Sequence, residues 1–169
     1  MLTPQYVAKS ELMLHGSANV GPVRYMGYEK HGFDANQLDD STVGDIVLSE
    51  PVADFVRGAI KSELKASGVN LNPDVPIVVR ADVESFEVGS WGFSIEWRVA
   101  IRLGIVSRED GRVLYDETFK GELSHGKLTT GEISGFPAAV VAQVLKSFLE
   151  DDQLQRLLNQ PGAQGKPVS

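Results

Sequence analysis

The chain of 169 residues contains no cysteine. Disulfides, thiol catalysis, iron–sulfur clusters and thiolate zinc sites are therefore excluded. Long apolar runs are also missing: no stretch approaches the roughly 18–20 residues of a membrane-spanning helix. Met1 to Gln5 lacks a basic segment followed by an apolar core, so no signal peptide is visible there. Positive charge is in the minority, with 16 Lys and Arg against 23 Asp and Glu and a net charge of −7. That balance argues against a nucleic-acid partner and against adhesion to anionic lipid through a basic face. Histidine is scarce. His15, His31 and His125 stand in no HxH or HxxxH pair and read as loop residues beside turns, not as metal ligands. There is no GxSxG elbow, no GxxxxGK[ST] loop and no GxGxxG following a strand.

What is present is strong alternation. Phe93, Ile95, Trp97, Val99, Ile101, Leu103 and Ile105 alternate with Ser94, Glu96, Arg98, Ala100, Arg102 and Gly104. Successive strand side chains point to opposite faces, so this run is a long strand with one buried and one wet face. Ile77 to Val88 repeats the pattern, with Ile77, Val79, Ala81 and Val83 inward and Arg80, Asp82 and Glu84 outward. Gly89 to Gly92 and Glu109-Asp110-Gly111 supply hairpin turns, and Val113 to Leu123 completes a three-stranded meander.

Helical spacing occurs twice. Val52, Phe55, Val56, Ile60 and Leu64 form one stripe, with Ser49 as N-cap, Pro51 in the first turn and Gly68 at the end. Gly58 in its middle costs roughly 1 kcal/mol against Ala, which close approach to the sheet would explain. Phe136, Val140, Val141, Val144, Leu145 and Phe148 form the second stripe, starting near Ser134; Leu154, Leu157 and Leu158 resume it as an extra turn or short helix. Upstream, Val7 to Leu14 reads as a short strand and Val20 to Lys30 as another, with a Gly- and Asp-rich loop over 31–45.

The fold class is therefore α+β: N-terminal strand or strands, helix, three-stranded meander, helix. An antiparallel twisted sheet packs on two helices as a two-layer sandwich. Residues 1–159 form one domain and 160–169 a disordered tail.

Candidate sites are few. Asp34, Asp39, Asp40 and Asp45 cluster in the long loop without the calcium-loop pattern, and read as solvated carboxylates. Glu84 and Glu96 could face each other across the first hairpin, but Arg80, Arg98 and Arg102 share that wet face and make ion pairs the simpler reading. No catalytic, cofactor-binding or metal residue is assigned. Trp91, between Gly89 and Gly92, is a candidate partner anchor at an exposed hairpin tip. Tyr28 and Phe33, beside the long loop, are candidates to frame a groove with Tyr25 and Met26.

Two phrases add a resemblance. The first helix closes on Leu64-Lys65-Ala66-Ser67-Gly68, and the last carries Leu149-Glu150-Asp151-Asp152-Gln153-Leu154-Gln155-Arg156-Leu157-Leu158. With the order of elements over residues 20–158, the chain resembles small bacterial envelope lipoproteins of the YajG type and the auxiliary lipoproteins of some transport systems. The resemblance implies a non-enzymatic accessory or assembly factor at the periplasmic face, acting by protein contact with an envelope partner. Membrane contact would come only through a lipid on a cysteine outside this chain, after removal of a signal peptide. It implies no cofactor and no catalytic residue, and allows a homo-oligomer. Two alternatives remain. One is a cytoplasmic adaptor of the same fold. The other is a small-molecule binding domain or enzyme with a pocket between sheet and helices, lined by Trp97, Phe119 and Tyr115. The apolar odd positions from 93 to 105 favour a filled core over such a pocket.

Overall fold

The first regular element of the computed structural model, which describes residues 1–40, 46–126 and 133–159, is strand β1, Ser17–Tyr25. The chain turns directly into a short helix, α1, Met26–Lys30, so the strand ends earlier than its apolar pattern suggested. Strand β2 is Asp39–Asp40, inside the segment read as loop. Helix α2 spans Val52–Ala66 and is followed by the short strand β3, Asn70–Leu71. The meander comprises β4, Ile77–Trp91, β5, Ser94–Ser107, and β6, Val113–Gly126. A 3₁₀ turn, Ile133–Gly135, leads into α3, Phe136–Leu149, and α4, Asp152–Leu158, ends the described chain. The expected tail, 160–169, lies outside the described residues, as does Asp45.

The sheet order is β3-β1-β4-β5-β6, with β2 pairing the far end of β4. The meander is antiparallel, as its turns require. The N-terminal strands join it parallel: β1 pairs β4, and β3 pairs β1. The cause is connection length, because α2 carries the chain back across the sheet before β4 begins. The sheet is therefore mixed. Helix α2 packs on β1 and β3, α3 packs on β5 and β6, and the two helices touch. Together they form the second layer of an α+β sandwich whose other sheet face is open.

Burial follows the apolar stripes. Val52, Phe55, Val56, Ile60 and Leu64 of α2 are buried, as are Val140, Val141, Val144, Leu145 and Phe148 of α3. They meet Val79, Ala81, Val83, Trp97, Val99, Ile101, Leu103 and Ile105 from the sheet. Gly121 of β6 lets α3 come close: a Cβ there would lie 2.4 Å from the Val140 carbonyl oxygen. At the end of α2, Gly68 at φ +94° donates its N–H to Lys65 O, and Val69 donates to Leu64 O. This is the paired Schellman closure expected of a glycine just past a helix.

Several local expectations are corrected. Ser49 does not cap α2; Pro51 holds that position, and the first helical N–H, of Val52, donates to Ala35 O at 2.9 Å. A Cβ on Gly58 would meet nothing within 4 Å, so close approach to the sheet does not explain that glycine. Val7 to Leu14 forms no strand. It lies as a strap along α2, its N–H groups taken by Glu63 and by Ser67 O rather than by a sheet edge. Register in β4 slips between Val83 and Ser85, so Phe86 and Val88 continue the buried face where alternation alone would put them outside. Phe93, read as the first inward residue of β5, instead occupies the turn.

Candidate functional site

The β4–β5 hairpin closes through two residues. Trp91 pairs with Ser94, leaving Gly92 and Phe93 as the turn. Gly92 has φ +56°, the conformation that a type II′ turn demands at its first central position. The turn projects Phe93 into solvent, where it is 90% exposed. The side chain of Trp91 lies outside what the structure describes.

Tyr28 and Phe33 occupy a different place. Helix α1 flanks β4, and Tyr28 is 59% exposed on it. Phe33 is half-buried, its N–H donating to Gly27 O at 3.0 Å, and a Cβ on Gly27 would strike its ring. Beside them Tyr25 is buried, its hydroxyl donating to Gln37 O at 2.7 Å. Burial, with Asp39 nearby, pushes that hydroxyl up to about 12. The fold thus brings Tyr28 and Phe33 to the flank of β4 and sets Trp91 at its far end.

Beneath the hairpin lies a cluster that the periodicity did not single out. Trp97 is 1% exposed, and its indole N–H donates to His125 Nε2 at 2.8 Å. His125 Nδ1 sits 3.0 Å from Gly126 O. With Nε2 accepting from the indole, Nδ1 is the ring nitrogen turned toward Gly126 O. The ring stacks on Phe136 at 3.8 Å with its plane 2° away. His125 is therefore a strand residue filling the end of the core, not a loop residue. The available signal was its odd position in β6, in phase with Tyr115, Phe119 and Leu123.

Among the described residues Glu63 is the most deeply buried carboxyl group, at 4% exposure. Oε1 accepts from Tyr6 OH at 2.7 Å and Lys9 N–H at 2.9 Å, and Oε2 accepts from Ser10 N–H at 3.1 Å. Burial, and then this bond to Glu63, raise the Tyr6 hydroxyl far above its ordinary range. All three donors come from residues 6–10, so Glu63 anchors the N-terminal segment to α2. Between strap, α2 and α3 runs an open groove of about 660 Å³, lined by Leu12, Ala139, Ala142, Gln143 and Lys146 among others.

The open sheet face carries charge. Arg102 grips Asp116 in a two-point ion pair, with Nε at 2.7 Å, and Arg24 pairs with Glu29 at 2.7 Å. The Arg102 guanidinium holds the Asp116 carboxyl below its ordinary value. Arg98 reaches Glu96 on its own strand at 3.7 Å. The expected facing of Glu84 and Glu96 does not occur. Glu84 falls in the register slip, and the residue opposite Glu96 is Gly89. The nearby Glu96 carboxylate instead raises the pKa of Glu122.

Among the described residues no group of three or more His, Asp or Glu is placed to hold a metal ion, and no helix is long and apolar enough to cross a membrane. The positions considered for a pocket wall are packed. Tyr115 and Phe119 lie 5.9 and 6.1 Å from Phe148, and Trp97 lies 6.0 Å from Phe136. Tyr115 OH donates to Asp151, which also caps α4 through the N–H groups of Gln153 and Leu154.

No protein-family model matches the sequence, and no curated protein is significantly similar to it. Solved structures are similar in fold. Protein XCC0632 from Xanthomonas campestris, of the DUF330 family, aligns with a TM-score of 0.67 at 13% identity, over 93% of this chain and 92% of that one. Hypothetical protein CT253 from Chlamydia trachomatis aligns at 0.56 and 12% identity, over 83% and 97% of the two chains. A minor lipoprotein from Acinetobacter baumannii aligns at 0.49 and 16% identity, over 72% and 95%. The first two likenesses show that this α+β sandwich is a fold shared with bacterial proteins.

Proposed function

We propose that this chain is a non-enzymatic accessory protein of the bacterial envelope, of the YajG or transport-auxiliary lipoprotein kind, that works by protein contact. The observation that carries the contact reading is Phe93. A phenylalanine 90% exposed on a two-residue turn contributes nothing to its own core. Burying it against a partner would contribute about 1.5–3 kcal/mol, and aromatic anchors dominate binding hot spots. The long paired arms of β4 and β5 hold the turn rigid, so little ordering cost opposes association. The envelope location rests on the resemblance of element order and on the two helix-end phrases. On this reading the protein faces the periplasm and is held to the membrane only by a lipid on a cysteine outside this chain.

Three measurements test it. Phe93→Ala should melt within about 1–2 °C of the parent, as surface changes do, and Phe93→Ala and Trp91→Ala should each lose capture of a partner from envelope extract. Retention of capture by the double variant would refute the tip as the working surface. Palmitate labelling of the product of the intact gene should tag a cysteine ahead of this chain; a soluble, unlabelled product would refute the envelope reading. A turnover abolished by His31→Ala or His125→Ala with the fold intact would refute the non-enzymatic one.

A further inference from the structure

We infer that the outer edge of β6 pairs with the same edge of a second copy of this chain, antiparallel and centred on Thr118. The inference depends neither on the hairpin tip nor on the envelope location. Among the described residues strand β6 is the last in the sheet order, so one of its edges has no neighbouring strand there. That edge can be located. The Glu122 N–H leaves the β5 ladder and donates to Gln143 Oε1 of α3 at 2.9 Å. Alternate residues of a strand direct their backbone groups to the same side, so Asp116, Thr118 and Lys120 also present theirs outward. Among the described residues these three amides have no hydrogen-bond partner. All three residues are exposed. The helix thus covers the edge at Glu122 and leaves Asp116 to Lys120 open.

Charge selects the occupant and the register. With a two-fold axis at Thr118, Asp116 lies opposite the partner's Lys120, and Lys120 opposite the partner's Asp116. Both cross-strand pairs are attractive. Every neighbouring register is worse. An axis at Glu117 sets that glutamate against itself. An axis at Phe119 sets Asp116 against the partner's Glu122. Axes at Asp116 and Lys120 oppose like charges directly. The Thr118 register alone joins the free amides, about six hydrogen bonds at two per bonded residue pair, to charge complementarity. The two sheets would then run on as one.

Absence of cysteine makes the test clean. In this register two Thr118→Cys residues face each other with Cα atoms about 5.5 Å apart, within disulfide reach. Under oxidised glutathione Thr118→Cys should form a covalent dimer at least ten times faster than Glu109→Cys, an exposed turn control. Asp116→Cys mixed with Lys120→Cys should cross-link as a heterodimer, whereas each alone places its thiols four residues, about 14 Å, apart and should not. Lys120→Glu added to Thr118→Cys should slow the reaction several-fold, and Glu109→Lys should not. Equal rates for Thr118→Cys and Glu109→Cys, or cross-linking by Asp116→Cys alone as fast as by the mixture, would overturn the inference. Cross-linking of Thr118→Cys only after deletion of residues 160–169 would mean that the tail occupies the edge, and would overturn it too.

Discussion

Two identical substitutions should act with opposite sign. Gly121 lies in β6 beneath α3, where a Cβ would sit 2.4 Å from the Val140 carbonyl oxygen and 3.2 Å from both Val140 and Val144 Cγ2. Ordinary contact begins near 3.4 Å, so Gly121→Ala requires α3 to lift by about 1 Å or β6 to sink. The obstacle is backbone, which no rotamer change can move. Overpacking of this kind costs about 1–3 kcal/mol. Gly58 lies mid-way along α2 with nothing within 4 Å of its absent Cβ. Gly58→Ala should therefore stabilise by about 0.5–1 kcal/mol, because only the helix-propensity and unfolded-chain entropy differences remain. Urea titration followed by far-UV circular dichroism reads both. With a slope of about 1–3 kcal/mol per M, Gly121→Ala should lower the midpoint by roughly 1 M and Gly58→Ala should raise it by a few tenths. A Gly121→Ala protein as stable as the parent would mean that α3 is not seated on β6 as described. Destabilisation by Gly58→Ala would mean that the exposed side of α2 has a neighbour.

Three further outcomes are expected. Trp97→Ala should cost about 3–5 kcal/mol by emptying a buried site, whereas Glu96→Ala on the wet face should cost less than about 1 kcal/mol; equal costs in urea would put the wrong face inward. Glu63→Ala should cost about 2–4 kcal/mol, since it strips the acceptor from its three donors, and should speed protease cleavage within residues 1–14; unchanged cleavage would refute the anchoring role. Asp116 and Asp110 have pKa values held below the ordinary 3.8, by Arg102 and by the Arg112 N–H respectively. A lowered folded pKa contributes stability that is present above the ordinary value and lost as pH falls through the lowered one. Denaturant midpoints should therefore drop between pH 4 and lower pH, by less in Arg102→Gln; an identical acid loss in that variant would contradict the pairing.

The amino-acid sequence alone determined the layers. Period-two runs in β4, β5 and β6 and the helical stripes from Val52 and Phe136 each specify one buried face, and apolar burial is insensitive to distant detail. It also determined an end that depends on one residue, Gly68 closing α2, whereas the Asp151 cap of α4 emerged only from the structure. Tertiary structure decided what depends on partners far away in the chain. The parallel entry of β1 follows from where α2 leaves the chain. The slip at Glu84, which turns Phe86 and Val88 inward, exists only as a mismatch between β4 and β5. Phe93 looked like the start of the buried face because its alternation is intact, but the turn register, set by Gly92, places it in solvent. His125 resembled a turn residue until the Trp97 indole, 28 positions away, supplied its donor. Local periodicity records which face of an element is apolar; it does not record which neighbour that face, or its edge, will meet.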